Sequence, residues 1–293
     1  MAATTSEIIS AAPAGRLSRF GHYVRRNPVV MVGLVLLAIL VLIALLAPWL
    51  TVDPLQLSPI DRLKKTGVGD HLFGTDMYGR DVFARTLHGS QISLVVGLCV
   101  AALSTAVGLT IGLVAGYVRL VDAIVMRIMD GLMAIPGVLL AIALMALTGA
   151  SVQNVILALT VIEIPRVVRL VRGVVLTIRE MPYVEAAISI GTSFPKILIR
   201  HILPNTVAPL IVQATYICAS SMIFEAVLSF LGAGTPPEIP SWGNMISEGR
   251  AYFQIAPHII FFPGVFLAVC VLVVNILGDG LRDTLDPRLR RRM

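Results

Sequence analysis

Three features of this 293-residue chain have residue types and spacings that could do chemical or mechanical work. The first is Glu163 with Arg166, a carboxylate and a guanidinium three residues apart inside the otherwise apolar stretch Asn154–Val171. On a helix that spacing stacks the two on one face, where they can form a structural ion pair or line a polar path. The second is the stretch REMPYVEAAISIGTSFPKILIRHILPN, from Arg179 to Asn205, too broken to span a membrane and too apolar to be a linker. The third is what the remaining reactive residues fail to do. His22, His71, His88, His201 and His258 are scattered, and Cys99, Cys218 and Cys270 sit in apolar runs without metal-ligand spacing, as small buried hydrophobes do. None of the three lysines closes a Gly-rich phosphate loop of the Gly-Lys-Ser/Thr type. No catalytic residue, metal or cofactor of its own is therefore expected in this chain.

The elements that must position these groups follow from composition. The chain is 57% hydrophobic and 14% charged, with mean hydropathy +0.88, against about 25% charged residues in soluble domains. Runs long enough to cross a bilayer core of about 30 Å are Val29–Leu50, Gln91–Val118, Gly131–Thr148, Asn154–Val171, Thr206–Leu231 and Pro257–Gly278. The expected fold class is an all-α polytopic membrane protein with six transmembrane helices. Of the 23 Lys and Arg residues, 17 fall on the side shared by both ends and six on the other, which places both termini in the cytoplasm. The net charge of +6 thus serves orientation in the membrane, and no nucleic-acid partner is implied. The expected division is a cytoplasmic segment 1–28, a first span 29–50, an external loop 51–90, a five-helix core 91–282 and a basic tail 283–293. The first run is too long for a signal-peptide core. The outer stretches 51–90 and 232–256 are rich in Pro and Gly and read as structured loops without helix.

Local rules shape the segment 179–205. Pro182 suits a first helical turn, and Gly191 falls where a helix ends in a left-handed residue. Ser193 is expected to cap a second short helix with Pro195 in its first turn, and Pro204 with Asn205 to stop it. The outcome is helix, tight corner, helix, with Ala186 and Ala187 keeping the first helix slim beside Glu185.

At these residues the chain resembles the permease subunits of binding-protein-dependent ABC importers. Glu185-Ala186-Ala187, Gly191 and Leu203-Pro204 match that family's loop signature, with His201 at the usual Ile position. The segments His71–Leu94, Glu225–Arg250 and Asn275–Arg290 look like those of the C-type subunit of the dipeptide, oligopeptide and nickel branch. The resemblance implies a type I ABC importer permease fold and an ATPase-coupling role for Glu185, Ala186, Ala187, Gly191, Leu203 and Pro204. It also implies four kinds of partner: a second, B-type permease, two ATP-binding subunits holding ATP and Mg, an extracytoplasmic substrate-binding protein, and membrane lipid. The competing reading is a secondary carrier or channel without ATPase partners. That reading expects inverted repeats and several buried charges, whereas Glu163 is the one convincing midplane acid. Arg166, Arg169 and Arg172 recur every three residues as an interfacial charged face, and Glu225 is expected near the outer surface, snorkelling or capping the outer loop.

Overall fold

The computed structural model describes residues 28–285. Arg16, Arg19, Arg25, Arg26, Arg288 and Arg290 to Arg292, on which much of the expected orientation rests, lie outside the described residues. Within them the regular structure is helical, apart from the isolated bridges Val68–His71 and Thr75–Asp81.

Helix α1 (Pro28–Leu50) is an apolar rod with no acidic or basic residue, so it can satisfy its backbone internally and meet lipid on its sides. Helix α2 (Val82–Tyr117) begins nine residues before the expected span. Asp81 decides this, because its side chain accepts from the Ala84 N–H at 3.3 Å and caps the first turn inside the outer loop.

The expected third span, Gly131–Thr148, is not one helix. Helix α3 (Arg119–Ala134) and helix α4 (Gly137–Thr148) meet at 92°. Pro136 removes a backbone donor and drives Ile135 into extended conformation (φ −91°, ψ 128°), which ends α3. Helix α5 (Val152–Arg179) is capped by Ser151 and antiparallel to α4, with the Asn154 amide donating to the carbonyls of Thr148 and Gly149, both at 2.9 Å.

After helix α6 (Pro182–Ser189) the chain runs from Phe194 to Phe230 without interruption. Helix α7 (Phe194–Ile197) passes through a wide π turn (Leu198–Ile202) into helix α8 (Leu203–Phe230). Two expectations fail here. Ser193 makes no side-chain cap, and Pro204 does not stop the helix. The widened turn is how a helix accommodates a residue that lacks its i→i−4 donor. The second outer stretch carries helix α9 (Trp242–Gly249), capped by Ser241, where loop alone was expected. Helix α10 (His258–Leu285) closes the described chain.

Four of the described helices are long and apolar enough to cross a membrane, or five with the bent α3–α4 pair taken as one span. Helix α5 has the length, but Glu163, Arg166, Arg169 and Arg172 make it too charged to pass on composition.

The bundle closes on small residues. Gly108, Gly112 and Gly116 of α2 lie one turn apart and face Val167, Val171 and Val175 of α5. A Cβ at any of them would sit 2.5–2.7 Å from the valine Cβ, so the two helices approach to a distance only glycine permits. Valines 167, 171 and 175 belong to the main core with Val96, Ile217 and Met222.

Candidate functional site: an exposed helical corner and a charged helix face

The corner is built on backbone chemistry. Gly191 adopts φ +78°, its N–H donates to the Ile188 carbonyl at 2.9 Å, and the Thr192 N–H donates to the Ala187 carbonyl at 3.0 Å. This double closure is the Schellman arrangement, which favours glycine at the left-handed position. Val184 and Ala187 face inward, and Val184 joins the core cluster that contains Ile197, Leu198 and Ile202. Glu185 and Ala186 face outward, so only one of the two alanines shapes the outer surface. Around them Met181, Tyr183, Ile188, Ile190 (83% exposed) and Phe194 form an open apolar rim. Glu185 makes no ion pair among the described residues. Leu203 and Pro204 lie at the start of α8, behind the corner. Asn205 ties the two parts, donating to the His201 carbonyl at 2.7 Å and the Tyr183 hydroxyl at 3.4 Å. The Tyr117 and Phe194 rings, 5.0 Å apart, join the corner to the end of α2.

The charged face lies on α5. Glu163 is buried, and Arg166 Nη1 donates to its two oxygens at 3.3 and 3.4 Å. Arg169 donates to Asp130 at 2.7 Å, and Arg172 holds both oxygens of Asp122. The arginine row is therefore a ladder of ion pairs. Its lower two rungs fasten α3 to α5, a role the three-residue spacing did not show because the acids come from a different helix.

On the opposite end the outer loop and α9 are joined by a quartet of charges. Arg80 Nε meets Asp76 at 2.6 Å and its Nη2 meets Glu248 at 2.5 Å, while Arg85 Nη1 meets the same two acids at 2.8 and 2.7 Å. Arg85 and Asp76 are fully buried. Trp242 Nε1 donates to the Thr86 carbonyl at 3.0 Å, and the His258 ring meets the Thr75 carbonyl at 3.1 Å. Glu225 is buried and neither snorkels nor reaches water. Its Oε1 accepts from Ser241 at 2.9 Å and Ser229 at 3.0 Å, pinning the start of α9 to the end of α8. Lys64 and then Ser58 hold the Asp61 carboxyl of the outer loop below its ordinary range. Sequence reasoning missed the quartet, whose bonded partners lie up to 168 residues apart. The one available signal was two arginines, Arg80 and Arg85, on the side poor in basic residues.

Among the described residues no three His, Cys, Asp or Glu converge to hold a metal ion. Residues 108–291 match the family of binding-protein-dependent transport system inner membrane components. The chain belongs to that family. Its residues 16–65 also match the N-terminal transmembrane domain of oligopeptide transport permease C, so this permease is of the C type. It is 52% identical, over the whole of both chains, to the probable peptide ABC transporter permease protein y4tQ of Sinorhizobium fredii. It is 42% identical to the glutathione transport system permease protein GsiD of Pectobacterium atrosepticum, over 92% of this chain and 90% of that one. Its fold is similar to that of a chain in the inward-facing MetNI methionine ABC transporter (TM-score 0.58, 20% identity, 70% of this chain and 97% of that one). The protein is thus an ABC transporter permease, a multi-pass component of the inner membrane and a transport subunit.

Proposed function

We propose that this permease pairs with a second, B-type permease to form the pathway of an ATP-driven peptide importer, and that two ATP-binding subunits drive it by pushing on the α6–α7 corner. In this reading the chain crosses the membrane six times, α5 being the span that composition alone does not admit. Both termini and the corner are cytoplasmic, in keeping with the 17-to-6 division of Lys and Arg. An extracytoplasmic substrate-binding protein delivers cargo to the face formed by the outer loop and α9. The peptide class is supported by what the relatives' names say of those proteins.

The observation that carries the reading is the corner itself. An apolar rim of Met181, Ile188, Ile190 and Phe194 stays exposed outside the bundle while Val184 and Ala187 root the same helix in the core. Exposed apolar surface of that kind is characteristic of a protein interface. The inward anchoring turns a push on the rim into movement of α8. Glu185 at the edge offers a carboxylate to a basic partner, Gly191 sets the angle, and Leu203-Pro204 with the π turn receives the motion.

Two variants test this in the assembled transporter. Glu185→Lys and Gly191→Pro are expected to assemble and to retain ATP hydrolysis while uptake falls by about 5–150-fold, the range of a lost coupling free energy of about 1–3 kcal/mol. Uptake at the unmodified rate in either would overturn the coupling role.

A further inference from the structure

Two independent observations fall on one face of the α3–α4–α5 unit. The first is a broken backbone at membrane depth. A Cβ at Gly137 would lie 3.0 Å from Ile162 Cγ2, so the α3–α4 break sits at the level of Ile162 and Glu163. These lie about 15–16 Å down α5 at 1.5 Å per residue, the middle of a bilayer core about 30 Å thick. Met133, Ala134, Ile135 and Pro136 around the break are all exposed, Ile135 by 46%. Lipid cannot satisfy the carbonyls and N–H groups that a break leaves open, so such backbone occurs only against protein or against water.

The second is exposed charge on the turns of α5 that follow the break. The Arg166 side chain is 39% exposed, and Arg169 and Asp130 are 43% and 56% exposed. Arg166 lies about 21 Å down α5. A lipid-facing arginine there would bend toward the near, inner interface to hydrate its head group. Arg166 instead reaches the other way, one turn toward the centre, to Glu163. A guanidinium held at mid-membrane on an open surface requires water or a polar ligand beside it.

We propose that this face is the wet wall of the translocation pathway, and that Glu163 with Arg166 is a waypoint on it for the charged termini of a zwitterionic peptide. The inference rests on the importer reading above. The pair is slack, with contacts of 3.3 and 3.4 Å against 2.7 Å for Arg169–Asp130, where charge-assisted bonds normally close to about 2.7–2.9 Å. Of the guanidinium's five donors only those on Nη1 are engaged. The remaining donors are matched to a peptide carboxylate, while the spare lone pairs of Glu163 suit an ammonium group. Passing cargo exchanges one ion pair for another, so neither charge is left bare in the process.

The test uses the full assembly in liposomes, with Cys99, Cys218 and Cys270 replaced by Ser. Met133→Cys and Ile135→Cys are expected to react with the charged reagent aminoethyl methanethiosulfonate at least about tenfold faster than Leu42→Cys on α1, because only ionised thiols in contact with water react. Equal, slow labelling of all three would overturn the wet wall. Glu163→Arg combined with Arg166→Glu keeps an ion pair but reverses its polarity. For this double variant, and for Glu163→Gln, recovered as complete assemblies, uptake of a labelled di- and tripeptide pool is expected to fall at least about tenfold, as when a site loses a charged contact. Unchanged uptake in the reversed pair would overturn the waypoint. Absence of ATP-dependent uptake by the unmodified assembly would overturn the importer reading instead, and the labelling result would stand apart from it.

Discussion

At Gly112 a single hydrogen atom stands where any other side chain would collide with Val171 and with the carbonyl of Val168. Gly112→Ala is therefore expected to destabilise the purified permease by about 1–3 kcal/mol, as overpacking in a well-filled core does. Gly173 on α5 has nothing within 4 Å of its would-be Cβ, and Gly173→Ala should hold or raise stability by about 0.5–1 kcal/mol through helix propensity alone. Thermal unfolding in detergent should order the proteins Gly173→Ala, unmodified, Gly112→Ala; the reverse order would show that the glycine stripe is not the contact. Neither glycine stood out in the sequence, and nor did their unequal cost. Four-residue spacing marks a smooth face, and only the partner helix says which face is pressed against something. Gly191 was legible without a partner, because left-handed closure of a helix is settled within six residues.

Elements here are joined by charge where glycine does not join them. In the outer quartet, Arg80 and Arg85 share Asp76 and Glu248, so the group is neutral and each acid is used twice. Removing one partner strands buried charge, at about 3–5 kcal/mol. Glu248→Ala should free α9 from the outer loop, and limited proteolysis is then expected to cut within Thr51–Asp81 faster than in the unmodified protein. A cleavage pattern identical to the unmodified one would mean that Trp242 and Glu225 hold α9 unaided. The neighbouring clip at Asp61 has a simple pH sign. Its carboxyl is depressed from an ordinary 3.8 by Lys64 first, then Ser58. Its small contribution is complete above that ordinary value and is lost as pH falls through the lower folded-state one. Asp61→Asn should thus alter loop protection at neutral pH and match the unmodified loop in strong acid. Helices α1, α8 and α10 were readable as apolar runs, to within their ends. The break at Ile135–Pro136 had a signal in Pro136, but Pro165, Pro209 and Pro263 sit inside unbroken helices. Proline marks where a helix can fail, and packing decides whether it does.

For the whole molecule, the proposed importer assigns other chains to the exposed apolar corner and water to the charged α5 face. Native mass spectrometry of the extracted complex is expected to find this chain with one other permease and two ATP-binding subunits. Cysteines at Ile188 and Ile190 should crosslink to an ATP-binding subunit in the functional assembly. Finding the chain alone, active with an ion gradient and no ATP, would favour the carrier alternative. What the sequence determined by itself was membrane residence, the corner at Gly191 and the family signature. Each is written in contiguous residues, since hydropathy, helix capping and turn chemistry act over one to a few helical turns. Only the tertiary structure decided that Arg169 and Arg172 clamp α3, that Arg85 lies buried against Glu248, and that α3 and α4 part at a right angle beside Glu163. The ion pairs depend on partners 39 to 163 residues away, brought within reach by close helix packing that no local pattern specifies.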